Sequence, residues 1–97
     1  MQHLEAYRLM QDTSEMEHVC EDVNSDSEWK FDSDNHRYVR FDANGKLMSH
    51  IRGESLPNPD ILWQKRVKIY GRQSRDAVKP QAATYALWQH WQGVKNA

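Results

Sequence analysis

The stretch from Trp29 to Ile51 most constrains the fold, because its side chains repeat with a period of two. Successive side chains of a β-strand point to opposite faces of a sheet, so this period predicts strands. Two polar stretches, 33–36 and 42–45, interrupt the alternation, and the Asn-Gly pair in the second tolerates the positive φ of a tight turn. The pattern predicts a three-stranded antiparallel meander.

The residues before the meander are predicted to be helical. Apolar residues recur at helical spacing in 3–10, although 7–10 also fits an edge strand. A second helix is predicted over 15–23, where Ser14 and Glu17 have the spacing of a capping box. Its buried stripe is predicted to consist of Met16, Val19, Cys20 and Val23.

Two further helices are predicted after the meander. Asn58 is a suitable N-cap and Pro59 suits the first helical position, so a helix is expected to run to about Tyr70 and to end at Gly71. Residues 61–69 also alternate like a strand, but the two caps favour the helix. A last helix is expected to begin at Pro80, to end near Gly93 and to bury Ala83, Leu87, Trp91 and Val94.

These elements predict an α+β fold, with an N-terminal helix or helices, a three-stranded antiparallel sheet and two C-terminal helices. The 97 residues fit a small single domain, 1–97, because domains usually contain about 100–150 residues. The ten aromatic residues argue against a disordered chain.

The sequence lacks the motifs of common enzyme and metal sites. Its four glycines form no phosphate-binding loop, and no serine lies in a nucleophile elbow. Cys20 falls in the predicted buried stripe, where a thiol is inert. The histidines are too scattered for a zinc site, and 32–43 lacks the glycine and glutamate of a calcium loop. We therefore predict a protein that is not an enzyme and that has no metal or cofactor.

The same sequence features favour the cytoplasm. No apolar run approaches the length of a membrane span, and the N-terminus has no signal-peptide pattern. The single cysteine allows no internal disulfide and is typical of a reducing compartment. We expect no membrane association, and the sequence leaves the oligomeric state open.

The charge is distributed unevenly along the chain. Residues 1–36 contain ten acids and two bases, whereas 37–97 contain four acids and eleven bases, although the whole chain has a formal charge of only −1. Such asymmetry bears on the partners that a chain attracts. Either the two halves neutralise each other in the fold, or the acids form an exposed face.

An exposed acidic face predicts a protein that binds basic, nucleic-acid-binding surfaces of other proteins. The residues predicted to bind such a partner are Glu17, Glu21, Asp22, Asp26, Glu28, Asp32 and Asp34. In this interpretation the acids of the helix lie outside its buried stripe and remain in water.

A basic patch interleaved with aromatic residues supports a different function. Basic side chains that contact phosphates, beside aromatics that stack on bases, are typical of nucleic-acid binding. The patch consists of Lys65, Arg66, Lys68, Arg72, Arg75 and Lys79. Direct nucleic-acid binding is the less favoured alternative, because the acidic half would repel phosphate. A third possibility is a structural or toxin-neutralising partner anchored by Tyr85 and Trp88.

The chain resembles small phage or mobile-element proteins, and in particular anti-CRISPR proteins of the DNA-mimic type. The resemblance rests on its size, its single domain, the lack of catalytic motifs and the acidic tract from Glu15 to Asp34. It implies an inhibitor, in the cytoplasm of a bacterial host, that occupies the DNA-binding surface of a CRISPR-Cas surveillance complex. No residue role carries over, because no motif is shared, and the chain is more nearly neutral than many such mimics.

Overall fold

The computed structural model describes residues 2–25 and 28–97 and contains a helix, a three-stranded sheet and two more helices. The elements are α1 (Gln2–Val23), β1 (Trp29–Asp32), β2 (Arg37–Phe41), β3 (Leu47–Arg52), α2 (Pro59–Tyr70) and α3 (Ala82–Lys95). Short 3-10 helices, Gly53–Ser55 and Arg75–Ala77, precede α2 and α3. The predicted α+β fold is confirmed.

The sheet is the predicted antiparallel meander, with strand order β1-β2-β3. Tyr38 pairs with Phe31 on one side and with Ile51 on the other. The register of β2 and β3 shifts by one residue between Arg40 and Phe41. The turn that joins these strands contains Gly45 with a φ of 81°, which is the backbone conformation that its sequence predicts.

One face of the sheet packs against α3 and forms much of the core. The Tyr38 hydroxyl lies 2.9 Å from Nδ1 of His90, and the residue is only 1% exposed. Burial raises the pKa of Tyr38 to about 12, because the charged phenolate is poorly solvated there. Trp91 lies against Gly53, where a Cβ atom would come within 2.4 Å of the indole ring. The sheet and α3 therefore meet too closely for any side chain at position 53.

The predicted division of the N-terminal region is wrong, because α1 is one continuous helix. Ser14 lies inside it rather than at a cap, and 7–10 is helical rather than an edge strand. Thr13, which is 1% exposed, donates its hydroxyl hydrogen bond to the Leu9 carbonyl, so its polar group is satisfied within the helix. No glycine or proline interrupts this region, and the helix passes through it.

Burial along α1 follows the prediction at its C-terminal end. Cys20 and Val23 are 4% and 2% exposed, whereas Met16 and Val19 are half-buried. This stripe turns α1 towards the other two helices, so the face that carries its charges is fixed by packing.

The caps of α2 are confirmed. The Asn58 side chain accepts a hydrogen bond from the Asp60 N–H at 3.0 Å, and Pro59 is the first helical residue. Gly71 has a φ of 90° and its N–H donates to the Val67 carbonyl. The local signals therefore define both ends of this helix.

The predicted stripe and end of α3 need correction. Ala83 is exposed and Thr84 is buried instead, because the Thr84 hydroxyl donates to the Asn24 side chain at 2.8 Å. Trp91 is buried as predicted, at 7% exposed. The helix continues through Gly93 to Lys95, since a single glycine weakens a helix without ending it.

Candidate functional site

Three ion pairs join α1 to α2 among the residues described. They are Glu5 with Lys68 at 3.9 Å, Asp12 with Lys65 at 3.6 Å and Glu17 with Arg66 at 2.8 Å. The acids come from the acidic third of the sequence, and the bases come from the predicted nucleic-acid-binding patch. The two regions that the sequence offers as separate binding surfaces therefore neutralise each other in part.

The pair between Glu17 and Arg66 is the least exposed of the three. The Arg66 side chain is 16% exposed and that of Glu17 is 33% exposed. Arg66 also donates a hydrogen bond to the Val78 carbonyl at 2.8 Å, so it connects α1, α2 and the chain before α3. Glu17 thus has a structural partner within the molecule, contrary to the expectation that it lies in water.

Asp32 is also paired internally. Its carboxylate accepts hydrogen bonds from the Asn35 amide at 2.9 Å and from Arg37 Nε at 3.0 Å. These two bonds, the Asn35 bond foremost, hold the pKa of Asp32 below its usual range. Asp34 is exposed in the adjoining turn, at the end of β1 away from α1. Asp32 and Asp34 therefore do not join the acids of α1 in one surface.

The remaining described acids lie in the C-terminal half of α1 and just before β1, and we call this group the acidic end. It consists of Glu15, Glu21, Asp22 and Glu28. Three of these four residues are exposed and Asp22 is half-buried. The Trp29 indole N–H donates to the Asp22 carbonyl at 3.2 Å, which holds the start of β1, and with it the neighbouring Glu28, beside the helix. Asp26, also predicted to bind a partner, lies outside the described residues.

The acidic end is unfavourable for the isolated molecule. The last turn of α1 carries Glu21 and Asp22 and no base, although the C-terminus of a helix carries a partial negative charge. Arg40 lies nearby, but its guanidinium packs over the Trp29 ring at 5.4 Å and donates to the Ser25 hydroxyl. None of the four carboxylates lies within 4.0 Å of a cationic nitrogen of a described residue.

The predicted basic patch divides into two parts. Its helical residues, Lys65, Arg66 and Lys68, take part in the ion pairs with α1. Arg72, Arg75 and Lys79 lie in the loop after α2 and are exposed. The Lys79 ammonium group lies 5.6 Å and 5.8 Å from the rings of Trp63 and Tyr85. Within this patch, the three loop residues are the ones that have no ion pair with a described acid.

A group of basic residues on the outer face of the sheet was not predicted from the sequence. Strand alternation turns Tyr38 towards α3, so its neighbour Arg37 faces the opposite way. We call the outward group the cationic sheet face; it consists of Lys30, Arg37, His50 and Arg52. Bases alternate with buried residues along the strands, and this pattern in the sequence indicates the face. The strand register is needed to show which of these residues lie opposite each other.

Other chemistry in the described part of the chain is limited. Cys20 is buried, and burial is the main cause that raises the pKa of its thiol, as expected for an inert cysteine. Within residues 2–25 and 28–97, no cluster of three or more histidine, cysteine or acidic side chains is placed to bind a metal ion. Among the described helices, none combines the length and the apolar character of a membrane span.

Comparison with protein-family models, with curated proteins and with solved structures found no match to this chain. The function of this chain is therefore inferred from its own fold and charges.

Proposed function

We propose that this protein is a non-enzymatic inhibitor that binds the basic, nucleic-acid-binding surface of a partner complex through a DNA-like acidic surface. The partner class is a CRISPR-Cas surveillance complex, in keeping with the resemblance stated above. The binding surface is the acidic end, which retains Glu21, Asp22 and Glu28 of the predicted set and adds Glu15.

The observation that carries this proposal is the placement of carboxylates against a helix C-terminus. Glu21 and Asp22 both lie beside the partial negative charge of the last carbonyls of α1, which repels their carboxylates. A partner that supplies lysine or arginine side chains removes this repulsion on binding. Charge complementarity of this kind raises the association rate and selects basic partners.

The acids of α1 that are paired with α2 support the choice of the acidic end as the binding surface. Glu5, Asp12 and Glu17 have cations of α2 opposite them, so they attract a basic partner less strongly. The surface offered to the partner is therefore shorter than the acidic tract of the sequence. Three of its members, Glu21, Asp22 and Glu28, lie where the C-terminal end of α1 meets β1.

Displacement of DNA from purified surveillance complexes tests the proposal. Fluorescent target duplex is bound to each complex of a panel, and its release by this protein is followed at two salt concentrations. The triple variant Glu21→Gln, Asp22→Asn and Glu28→Gln should inhibit at least about tenfold less well than the wild type, which corresponds to about 1.4 kcal/mol. Its inhibition should also depend less on salt.

A second triple variant provides the matched control. Glu5→Gln, Asp34→Asn and Asp76→Asn removes the same formal charge from exposed acids elsewhere, and it should inhibit like the wild type. Equal losses in the two triple variants would show that only the net charge matters. Either that result or a wild type that displaces no DNA would contradict the proposal.

A further inference from the structure

We infer that the cationic sheet face is a phosphate-binding surface for single-stranded nucleic acid. It shares no residue with the acidic end, which comes nearest at Glu28, two positions before Lys30, and it goes beyond the proposed inhibition. It also differs from the basic patch that the sequence predicts, because it lies on the sheet rather than in α2 and the following loop.

The first observation is a like-charge pair in the strand register. Arg37 and Arg52 are directly opposite each other on β2 and β3. Like charges in this position destabilise a sheet, because the two side chains lie on one face at close range. Asp32 bonds Nε of Arg37 at 3.0 Å, which leaves the terminal nitrogens of that guanidinium without a hydrogen-bond partner among the described residues. An anion that bridges the two arginines would remove the repulsion.

The second observation is a concavity at the same place. A depression of about 270 Å³ is lined by Asn35, Arg37, His50 and Arg52. Two guanidinium groups supply forked N–H donors, and such donors match the oxygens of a phosphate group. Asn35 already donates to Asp32 at 2.9 Å, so this side of the depression is held in place.

Basic side chains extend along the sheet in a way that suits a chain of phosphates. Lys30 and His50 flank Val39 in the neighbouring row, about 7 Å from the pair of arginines. Lys30, Arg37 and Arg52 outnumber Asp32, the one carboxylate of the strands on this face, and the nearest other acids along the chain are Glu28, Asp34 and Glu54. A single phosphate would contact only Arg37 and Arg52, whereas a polynucleotide also reaches Lys30 and His50.

Exposed apolar side chains beyond these rows favour a single strand over a duplex. Phe41 and Met48 are 41% and 56% exposed, at the far end of β2 and β3. A base stacks on an aromatic ring only when its face is accessible, as it is in single-stranded nucleic acid. The three-stranded sheet thus offers phosphate donors at one end and a stacking platform at the other.

Fluorescence anisotropy with labelled 12-nucleotide single strands of RNA and DNA, and with a duplex of equal length, tests the inference. The wild type should bind the single strands with micromolar affinity at low salt. Three phosphate contacts predict a loss of about 20-fold between 50 and 200 mM salt, from a slope of about −0.7 per contact. No binding of single strands at 50 mM salt, or tighter binding of the duplex, would overturn the inference.

Substitutions locate the surface. Arg37→Gln with Arg52→Gln should weaken single-strand binding about tenfold at low salt and reduce its salt dependence. Phe41→Ala should weaken binding about fivefold with an unchanged salt slope, because stacking involves no counterion. If the double variant fails to fold by circular dichroism, the exposed single variant Arg52→Gln gives the same test.

Two controls separate this surface from its alternatives. Arg72→Gln with Arg75→Gln removes the same charge from the loop after α2 and should leave affinity within about twofold of the wild type. An equal loss in this control would assign binding to the loop and overturn the inference. Displacement of the oligonucleotide by micromolar inorganic phosphate or by polyglutamate would also overturn it, because the site would then select a small anion or an acidic protein. None of these variants alters the acidic end, so failure here is distinct from failure of the proposed inhibition.

Discussion

The interface between α1 and α2 and the cationic sheet face contain similar charged side chains but differ in what lies opposite each charge. Across the helices, the acids of α1 face cations of α2, and the most buried pair joins Glu17 to Arg66 at 2.8 Å. Across the strands, Arg37 has Asp32 opposite it on β1 and Arg52 opposite it on β3, so Arg52 faces another cation rather than an acid. Charge in the first region stabilises the fold, whereas the like-charge pair in the second is tolerated by it. Only the second region remains available to an outside ligand.

The largest effect on stability is expected at the interface between α1 and α2, where acids and bases are paired. Arg66→Ala leaves Glu17 and the Val78 carbonyl without their hydrogen-bond partner. We expect the free energy of unfolding to fall by about 2 kcal/mol. A hydrogen bond to a charged group contributes about 1.5–3 kcal/mol, and solvent around the partly exposed Glu17 keeps the total for both bonds at the lower end of this range. Urea denaturation measures this loss.

The exposed pair of the same interface provides a control. Lys68→Ala should lower the free energy of unfolding by less than about 0.5 kcal/mol. Both side chains of this pair are exposed, and Lys68 Nζ lies 3.9 Å from Glu5 Oε1. If Arg66→Ala and Lys68→Ala lowered the free energy of unfolding equally, burial would not make the Glu17–Arg66 pair more stabilising than the Glu5–Lys68 pair.

An intermediate effect is expected at Asp32, the one carboxylate on the cationic sheet face. Its pKa is lower in the folded state than in the unfolded chain, mainly through the Asn35 hydrogen bond and then through Arg37. The stability that it contributes is therefore present above the unfolded pKa and is lost as the pH falls through the folded value. The free energies of unfolding of the wild type and of Asp32→Asn should approach each other as the pH falls from about 5 to about 2. A constant difference between the two free energies across this range would contradict the stabilising role of the Asp32 carboxylate.

The smallest effect is expected at Arg52. Arg52→Gln removes one member of the like-charge pair, so the free energy of unfolding should stay unchanged or rise by up to about 0.5 kcal/mol. The gain should shrink in high salt, which screens exposed charges. Thermal unfolding at two salt concentrations measures both. Destabilisation by this variant would mean that Arg52 has a stabilising partner, and the difference between the two regions would disappear.

Much of the fold follows from local signals in the sequence. The caps at Asn58 and Gly71 and the turn at Gly45 each depend on a few adjacent residues, and all three are confirmed. The errors have two causes. Ser14 has the spacing of a cap but lies within α1, because no glycine or proline ends the helix before it. In α3 a tertiary contact decides, since Thr84 rather than Ala83 is buried and bonds Asn24.

The candidate sites were less predictable than the fold. The sequence shows which residues are charged, but an ion pair depends on which side chains meet. Glu17 and Arg66 are 49 positions apart, and nothing local indicates that they share a hydrogen bond. Arg37 and Arg52 become neighbours only through the register of β2 and β3. The acidic end remains as the part of the predicted acidic face that packing leaves without a cation of the described residues opposite it.

Most of the secondary structure of this protein follows from its sequence alone, since helix caps, turns and side-chain periodicity act over a few residues. The amounts of charge in the two parts of the chain follow from it as well. Which of those charges cancel depends on the packing of the elements, because electrostatic interactions depend on distance in space rather than along the chain. The packing of α1 on α2 neutralised one set, and the pairing of β2 with β3 left the other exposed on the sheet.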